Sequence, residues 1–162
     1  MMAEVKSNSR ILLVAVVAVV VAIVFAACDN RKVYDSYGHT TVTGWEKNDK
    51  LDFMVPPLSE TGDYLLTLAI RLSDAYPFRN LHMVVRQTVY PSQQVITDTV
   101  SCVVVDRQGS MVGPGVMYYQ YTMPLRRHKY NAGDSLHISV SHNMKREILP
   151  GIADVGVILR RK

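Results

Sequence analysis

The sequence is poor in cysteine, with Cys28 and Cys102 the only two among its 162 residues. Cys102 lies on the same face of a predicted strand as Ile96, Val100 and Val104, which predicts a buried thiol. A reactive thiol needs exposure and a lowered pKa, so we expect Cys102 to be inert. If Cys28 is used for other chemistry, Cys102 has no partner for an internal disulfide. The fold must then depend on its hydrophobic core.

A strong excess of charge of one sign is also absent. The formal net charge is +4 at pH 7, and it includes a cluster of Arg160, Arg161 and Lys162 at the C-terminus. Nucleic-acid-binding proteins usually concentrate many more cations on one face. We therefore predict no nucleic-acid partner and interpret the terminal cluster as a solvated end.

Motifs for catalysis and metal binding are missing as well. The five histidines are scattered, and none stands in a short spacing with Cys, Asp or Glu. We interpret them as surface or edge histidines. No nucleophile elbow surrounds a serine, and carboxylate pairs such as Asp98 with Asp106 are expected by chance in a single sequence. These absences predict a protein that is not an enzyme and that has no metal and no cofactor.

From Trp45 onward the chain alternates apolar and polar residues with a period of two, which is typical of strands that have one buried face. The clearest apolar stripe runs through every second residue from Tyr64 to Leu72. Six further segments show the same period: 51–55, 81–89, 95–106, 116–123, 136–140 and 155–159. Because no helical period of similar length occurs, we predict an all-β fold, a single antiparallel β-sandwich of Ig-like or jelly-roll type over residues 45–162.

A long hydrophobic run occurs at the N-terminus. It follows two positive charges, covers residues 11–25, and is closed by Ala26, Ala27 and Cys28. This is the arrangement of a signal peptide that is cut before a cysteine. We predict a signal peptide over residues 1–27 and lipid attachment at Cys28. Two membrane signals, such as two fatty chains on one cysteine, already give stable anchoring. An uncleaved transmembrane helix is the alternative, because the run is just short of the roughly 18 apolar residues that span a bilayer.

The segment that follows Cys28 is polar and shows neither the strand nor the helix period. We predict that residues 28–44 are the lipidated cysteine and a flexible tether. Such a tether reaches about 50 Å when extended and about 20 to 25 Å as a coil. It would let the domain stand off the lipid surface.

Three tyrosines lie in one predicted strand. Tyr119 and Tyr121 share one face of this strand, and Tyr118 points to the other face. We interpret one set as core and the other as cover for a sheet edge, because tyrosine pairs well across strands. A platform on which sugar rings stack is the alternative.

Short motifs follow one another along the chain in a characteristic order: Cys28-Asp29, Tyr34 to Tyr37, Gly44-Trp45, Tyr76 to Leu81, Asp98 to Val100, Gly113 to Gly115, Pro124-Leu125, His142 to Met144 and Gly151 to Gly156. Their order and spacing resemble the GldH-type gliding-motility lipoproteins. The resemblance implies a non-enzymatic lipoprotein of the cell envelope that is linked with gliding and with adhesin secretion. It also places the lipid on Cys28.

We therefore expect a membrane-anchored protein that binds other cell-envelope proteins, in gliding, surface-protein secretion or envelope assembly. The possible contact loop consists of Tyr76, Pro77, Phe78, Arg79 and Asn80. A glycan- or peptide-binding lipoprotein of a nutrient-uptake system is the alternative, and a small hydrolase is a third. A periplasm-facing position is favoured because the residues after Cys28 lack paired acidic side chains, and the inner and outer membranes both remain open.

Overall fold

The computed structural model describes residues 31–162, which form one compact unit. Ten β-strands account for its regular structure, and no helix occurs within these residues. The strands are β1 (Lys32–His39), β2 (Trp45–Glu46), β3 (Leu51–Val55), β4 (Gly62–Ser73), β5 (Asn80–Tyr90), β6 (Gln94–Val103), β7 (Tyr118–Tyr130), β8 (Ser135–His142), β9 (Ile148–Leu149) and β10 (Ile152–Arg161).

Eight of these strands build two antiparallel sheets that face each other. Sheet I has the strand order β1-β10-β4-β7, sheet II has the order β3-β8-β5-β6, and β2 pairs with β9 in a small third sheet. Every connection between successive long strands crosses from one sheet to the other, except the β5–β6 hairpin. This order is that of a jelly roll, so the predicted antiparallel β-sandwich is confirmed.

The apolar stripes of the sequence form the core between the sheets. Tyr64, Leu66, Leu68, Ile70 and Leu72 of β4 are all buried. They meet buried residues of the opposite sheet, as the period of two requires. Burial of this many large apolar side chains provides the main stabilisation of a domain without disulfides.

The tether predicted for residues 28–44 is wrong over Lys32–His39, which form β1. This strand pairs with β10 from Lys32 opposite Arg160 to His39 opposite Asp154. The inward-facing positions of β1 include Tyr34 and Gly38, and a Cβ at Gly38 would lie 3.3 Å from the Leu51 side chain. Small residues occupy inner positions of this edge strand. The sequence therefore shows no clear alternation of apolar and polar side chains there.

The two ends of the sandwich differ in their loops. At the loop end the connections are residues 40–50, 74–79, 104–117 and 143–151, and three of them have nine residues or more. At the terminal end the connections are residues 56–61, 91–93 and 131–134, and none has more than six residues. Arg31 and Lys162 also lie at the terminal end, where the Arg161 amide donates to the Arg31 carbonyl over 2.8 Å. Arg31, the first described residue, therefore lies at the end of the domain that is opposite the long loops.

Candidate functional site

Cys28 and the predicted signal peptide lie outside the described residues. Cys102 lies within them and is buried, as predicted, and burial raises the pKa of its thiol. Within residues 31–162 no helix is long and apolar enough to cross a membrane. In the same range no three His, Cys, Asp or Glu side chains come together in a way that could hold a metal ion.

The predicted contact loop, residues 76–80, lies at the loop end. Tyr76 itself is buried; its hydroxyl donates to the Asn80 carbonyl over 2.9 Å, and its ring meets the Phe78 ring edge-on at 5.6 Å. Burial raises the pKa of the Tyr76 hydroxyl. Pro77, Arg79 and Asn80 are exposed. Tyr76 thus anchors the loop, and its neighbours supply the surface that a partner would meet.

The three tyrosines of β7 differ in burial, as the interpretation of one set as core predicts. Tyr121 is buried and its hydroxyl donates to the Val104 carbonyl over 2.7 Å, while Tyr119 packs against the core. A Cβ at Gly113 would lie 2.7 Å from the Tyr121 ring, which explains the glycine in this turn. Tyr118 alone is widely exposed, at 52%. These three rings do not form a shared stacking platform.

A row of polar side chains crosses the outer face of sheet I near the loop end. The strand register sets His39 of β1 beside Asp154 of β10, and Asp154 beside Arg71 of β4. Oδ1 of Asp154 contacts Nδ1 of His39, and Oδ2 accepts from Nη1 of Arg71 over 3.2 Å. The Asp154 side chain is only 8% exposed. We call these three residues the polar row.

A hollow of about 530 Å3 opens beside the polar row. Besides the row itself, its walls include Thr40, Thr41, Val42, Ser73 and Tyr118. The chain therefore brings the ends of β1 and β4 together with the beginnings of β7 and β10. We call this space the row pocket.

Large apolar side chains project into solvent next to the row pocket. Val42 is fully exposed, Val116 is 89% exposed and Met117 is 77% exposed. Together with Tyr118 they form what we call the apolar rim. Val42 and Tyr118 line the row pocket, and Val116 and Met117 directly precede Tyr118 in the chain. Exposed apolar residues grouped in this way are typical of an interaction surface.

A second hollow, of about 650 Å3, adjoins the predicted contact loop. Phe78 and His82 line it together with residues 143–146. The His82 amide donates to Sδ of Met144 over 3.4 Å, which holds one wall in place. This hollow also opens at the loop end, so the contact loop has a concave neighbour.

His142, interpreted above as a surface or edge histidine, is buried instead. Its ring meets the Trp45 indole edge-on at 5.3 Å. Burial is the main cause that lowers the pKa of His142. His142 continues the buried alternation of Leu136, Ile138 and Val140 on β8, and this period of two is the sequence signal for its inner position.

A partly buried polar network links side chains of β5, β6 and β7. The Tyr130 hydroxyl donates to Oε1 of Gln87 over 2.8 Å, and Nε2 of Gln87 lies 3.5 Å from Oδ2 of Asp98. Asp98 also faces His128 at 3.9 Å. The carboxylate pairing of Asp98 with Asp106 does not occur, because the Asp106 side chain instead accepts from the amides of Gln108 and Ser110.

Fold and surface together define a small antiparallel jelly-roll domain with exposed apolar side chains at its loop end. The model of the GldH lipoprotein family matches residues 32–159 of the chain. The chain therefore belongs to the GldH lipoprotein family, and the resemblance seen in the sequence is confirmed.

Individual relatives match over most of their length. The chain is 29% identical to the gliding motility lipoprotein GldH of Flavobacterium johnsoniae, over 96% of this chain and 97% of the relative. It is 25% identical to a gliding motility lipoprotein GldH homolog of Christiangramia forsetii, over 83% of this chain and 86% of the relative.

Solved structures show weaker likeness. A family GH115 4-O-methyl-alpha-glucuronidase aligns with a TM-score of 0.46 and 15% identity over 84% of this chain. A Listeria monocytogenes protein in complex with glucose, magnesium and calcium aligns with a TM-score of 0.42 and 13% identity over 76% of this chain. The chain spans only 18% and 9% of these two structures, and likeness at this level carries no functional argument.

Proposed function

We propose that this protein is a lipid-anchored, non-enzymatic component of the cell envelope that binds another envelope protein through its loop end. Its role would lie in gliding, in secretion of surface proteins or in envelope assembly. Family membership supports the anchoring and the envelope location. The observation that carries the binding role is the apolar rim at the loop end.

The position of Arg31 supports an orientation in which the terminal end lies near the membrane and the loop end lies away from it. Only two residues separate Cys28 from Arg31, so an acylated Cys28 lies within about 10 Å of the terminal end. Strand β4 has 12 residues and spans about 40 Å from one end to the other. A lipid at Cys28 would hold the terminal end near the membrane and leave the loop end facing the periplasm.

The composition of the rim supports a protein partner. Apolar side chains that are almost fully exposed in the free chain gain most when a partner covers them. The glycan-binding alternative receives less support, because Tyr118 is the only one of the three candidate tyrosines that reaches solvent widely.

A comparative pull-down tests the binding role. The acylated chain is purified from crosslinked membranes with and without the double substitution Val116→Ser and Met117→Ser. We expect recovery of envelope proteins to fall several-fold in the double variant. Val95→Ser is the matched control, because Val95 is also exposed, at 53%, but lies at the terminal end. Equal recovery from all three chains would contradict the proposal.

A further inference from the structure

We propose that the row pocket binds a carboxylate group of the polypeptide partner, with Arg71 as its charged hydrogen-bond donor. This inference rests on the proposed function and names the chemistry that the loop end would recognise. No part of the family match assigns this site.

The donors and acceptors of the pocket are unequally used. Both carboxylate oxygens of Asp154 are engaged by the other two members of the polar row. The carbonyls of Ile152 and Gly151 accept from Thr40 and Ser73. Arg71 commits one of its five N–H groups to Asp154, which leaves the other N–H groups of the guanidinium for a ligand. The Arg71 guanidinium therefore suits a ligand rich in acceptors.

Arg71 and His39 are held in place before any ligand arrives. Asp154 is buried between them, and the register of three adjacent strands fixes all three side chains side by side. A guanidinium that is already oriented by one carboxylate can present its remaining N–H groups to a second carboxylate. Such preorganisation reduces the entropy lost when the ligand binds.

The guanidinium of the polar row is accessible to a ligand. The Arg71 side chain is 48% exposed, whereas the Asp154 side chain that it contacts is only 8% exposed. Asp154 therefore orients Arg71 from the buried side and leaves the rest of the guanidinium toward the open pocket.

The surroundings of the pocket indicate the occupant. Val42 and Tyr118 lie in its walls, and the exposed Val116 and Met117 directly precede Tyr118 in the chain. An acidic side chain flanked by apolar residues fits a pocket that presents the Arg71 guanidinium beside apolar side chains. The ligand that we infer is therefore a glutamate or aspartate within an apolar segment of another protein.

The test uses a peptide probe and a matched neutral peptide. The full acylated chain, labelled with 15N-arginine and held in detergent micelles, is titrated with acetyl-Leu-Glu-Leu-amide while the arginine Nε–H signals are followed by NMR. We expect the Arg71 signal to shift. The glutamine peptide acetyl-Leu-Gln-Leu-amide should bind about tenfold more weakly or worse, since it loses the charge-assisted hydrogen bonds.

Two variants assign the effect to the pocket. Arg71→Gln should remove the preference for glutamate over glutamine. Arg86→Gln, an exposed arginine on sheet II, should leave it unchanged. If Arg71→Gln unfolds, as judged by circular dichroism, Arg71→Lys keeps the charge beside Asp154 but lacks the planar fork, and should show an intermediate loss.

Three results would overturn the inference. They are equal binding of the two peptides, equal loss in the Arg71 and Arg86 variants, and binding of sodium glucuronate at least as tight as that of the glutamate peptide. The last result would point to an acidic glycan instead. The pull-down with the rim variant is independent of this titration. If the carboxylate site fails its test, the binding role of the loop end is still judged by the pull-down alone.

Discussion

The two ends of this sandwich rest on the same core but present opposite surfaces. The terminal end has short turns and charged side chains that are partly paired, such as Lys32 with Asp35 and Arg161 with Glu60. The loop end has long connections, two hollows and an apolar rim. Under the proposed function, the terminal end would lie near the membrane and the loop end would meet a partner.

The core is what the two ends share, and its disruption should have the largest effect. Ile70 is fully buried on the inner face of β4. Ile70→Ala should reduce the free energy of unfolding by about 2 to 5 kcal/mol, because it removes apolar contacts and leaves a cavity. Urea unfolding measures this loss.

Met54→Ala is the matched surface control for the core variant. Met54 is 66% exposed on β3, so its truncation should change the free energy of unfolding by about 0.5 kcal/mol or less. If the two variants lost similar stability, the core described here would not be the main source of stability for both ends.

Asp154→Asn should weaken the loop end more than the terminal end. The substitution removes the charge that holds His39 and Arg71, and we expect a loss of about 1 to 2 kcal/mol in unfolding free energy. Amide hydrogen exchange should become faster at His39 and Thr40, where β1 ends, and stay unchanged near Tyr34. Equal acceleration along all of β1 would contradict a local role of the polar row.

The pH dependence of stability should report on His142 at the loop end. Burial lowers the pKa of His142 below that of the unfolded chain, so the unfolded state binds more protons as the pH falls through about 6.5. The folded state is therefore favoured at higher pH, and this contribution is lost on acidification.

The measurement is the change in unfolding free energy between pH 7.5 and pH 5.5 in the wild type and in His142→Asn. We expect a smaller loss in the variant, because asparagine does not titrate. His82→Asn, at the loop end but only half-buried, provides the comparison variant. An unchanged pH dependence in His142→Asn would show that its burial does not contribute.

The smallest effect is expected at the terminal end. Lys32 and Asp35 form an ion pair at 2.8 Å, but both side chains are substantially exposed. Lys32→Gln should change the free energy of unfolding by less than about 1 kcal/mol, since exposed pairs are screened by solvent and salt. A larger loss in thermal unfolding would mean that the start of β1 contributes more than its exposure suggests.

The sequence indicated most of the strands because their apolar stripes are continuous. Tyr64 to Leu72 is the clearest case, since each inner residue of β4 is large and buried. Strand β1 was hidden, because Tyr34 is followed at the inner positions by Ser36 and Gly38, which carry no apolar signal. Edge strands can be stabilised by pairing on one side, and that pairing is not a local property of the sequence.

Most of the candidate site could not be predicted from the sequence alone. His39 and Asp154 are 115 residues apart, and only the pairing of β1 with β10 makes them neighbours. The scattered histidines therefore gave no sign of the polar row. Residues 76–79 of the predicted contact loop lie in a connection between strands, whereas Asn80 begins β5. Tyr76 is buried, and its role as a partner contact stays a prediction.

The central claim, that the loop end binds a partner while the terminal end does not, is tested most directly by site-specific photo-crosslinking in living cells. A benzophenone side chain replaces Val116 at the loop end or Val95 at the terminal end of the acylated protein. The account predicts a discrete adduct with an envelope protein from position 116 and none from position 95. The same adduct from both positions, or an adduct from position 95 alone, would contradict it.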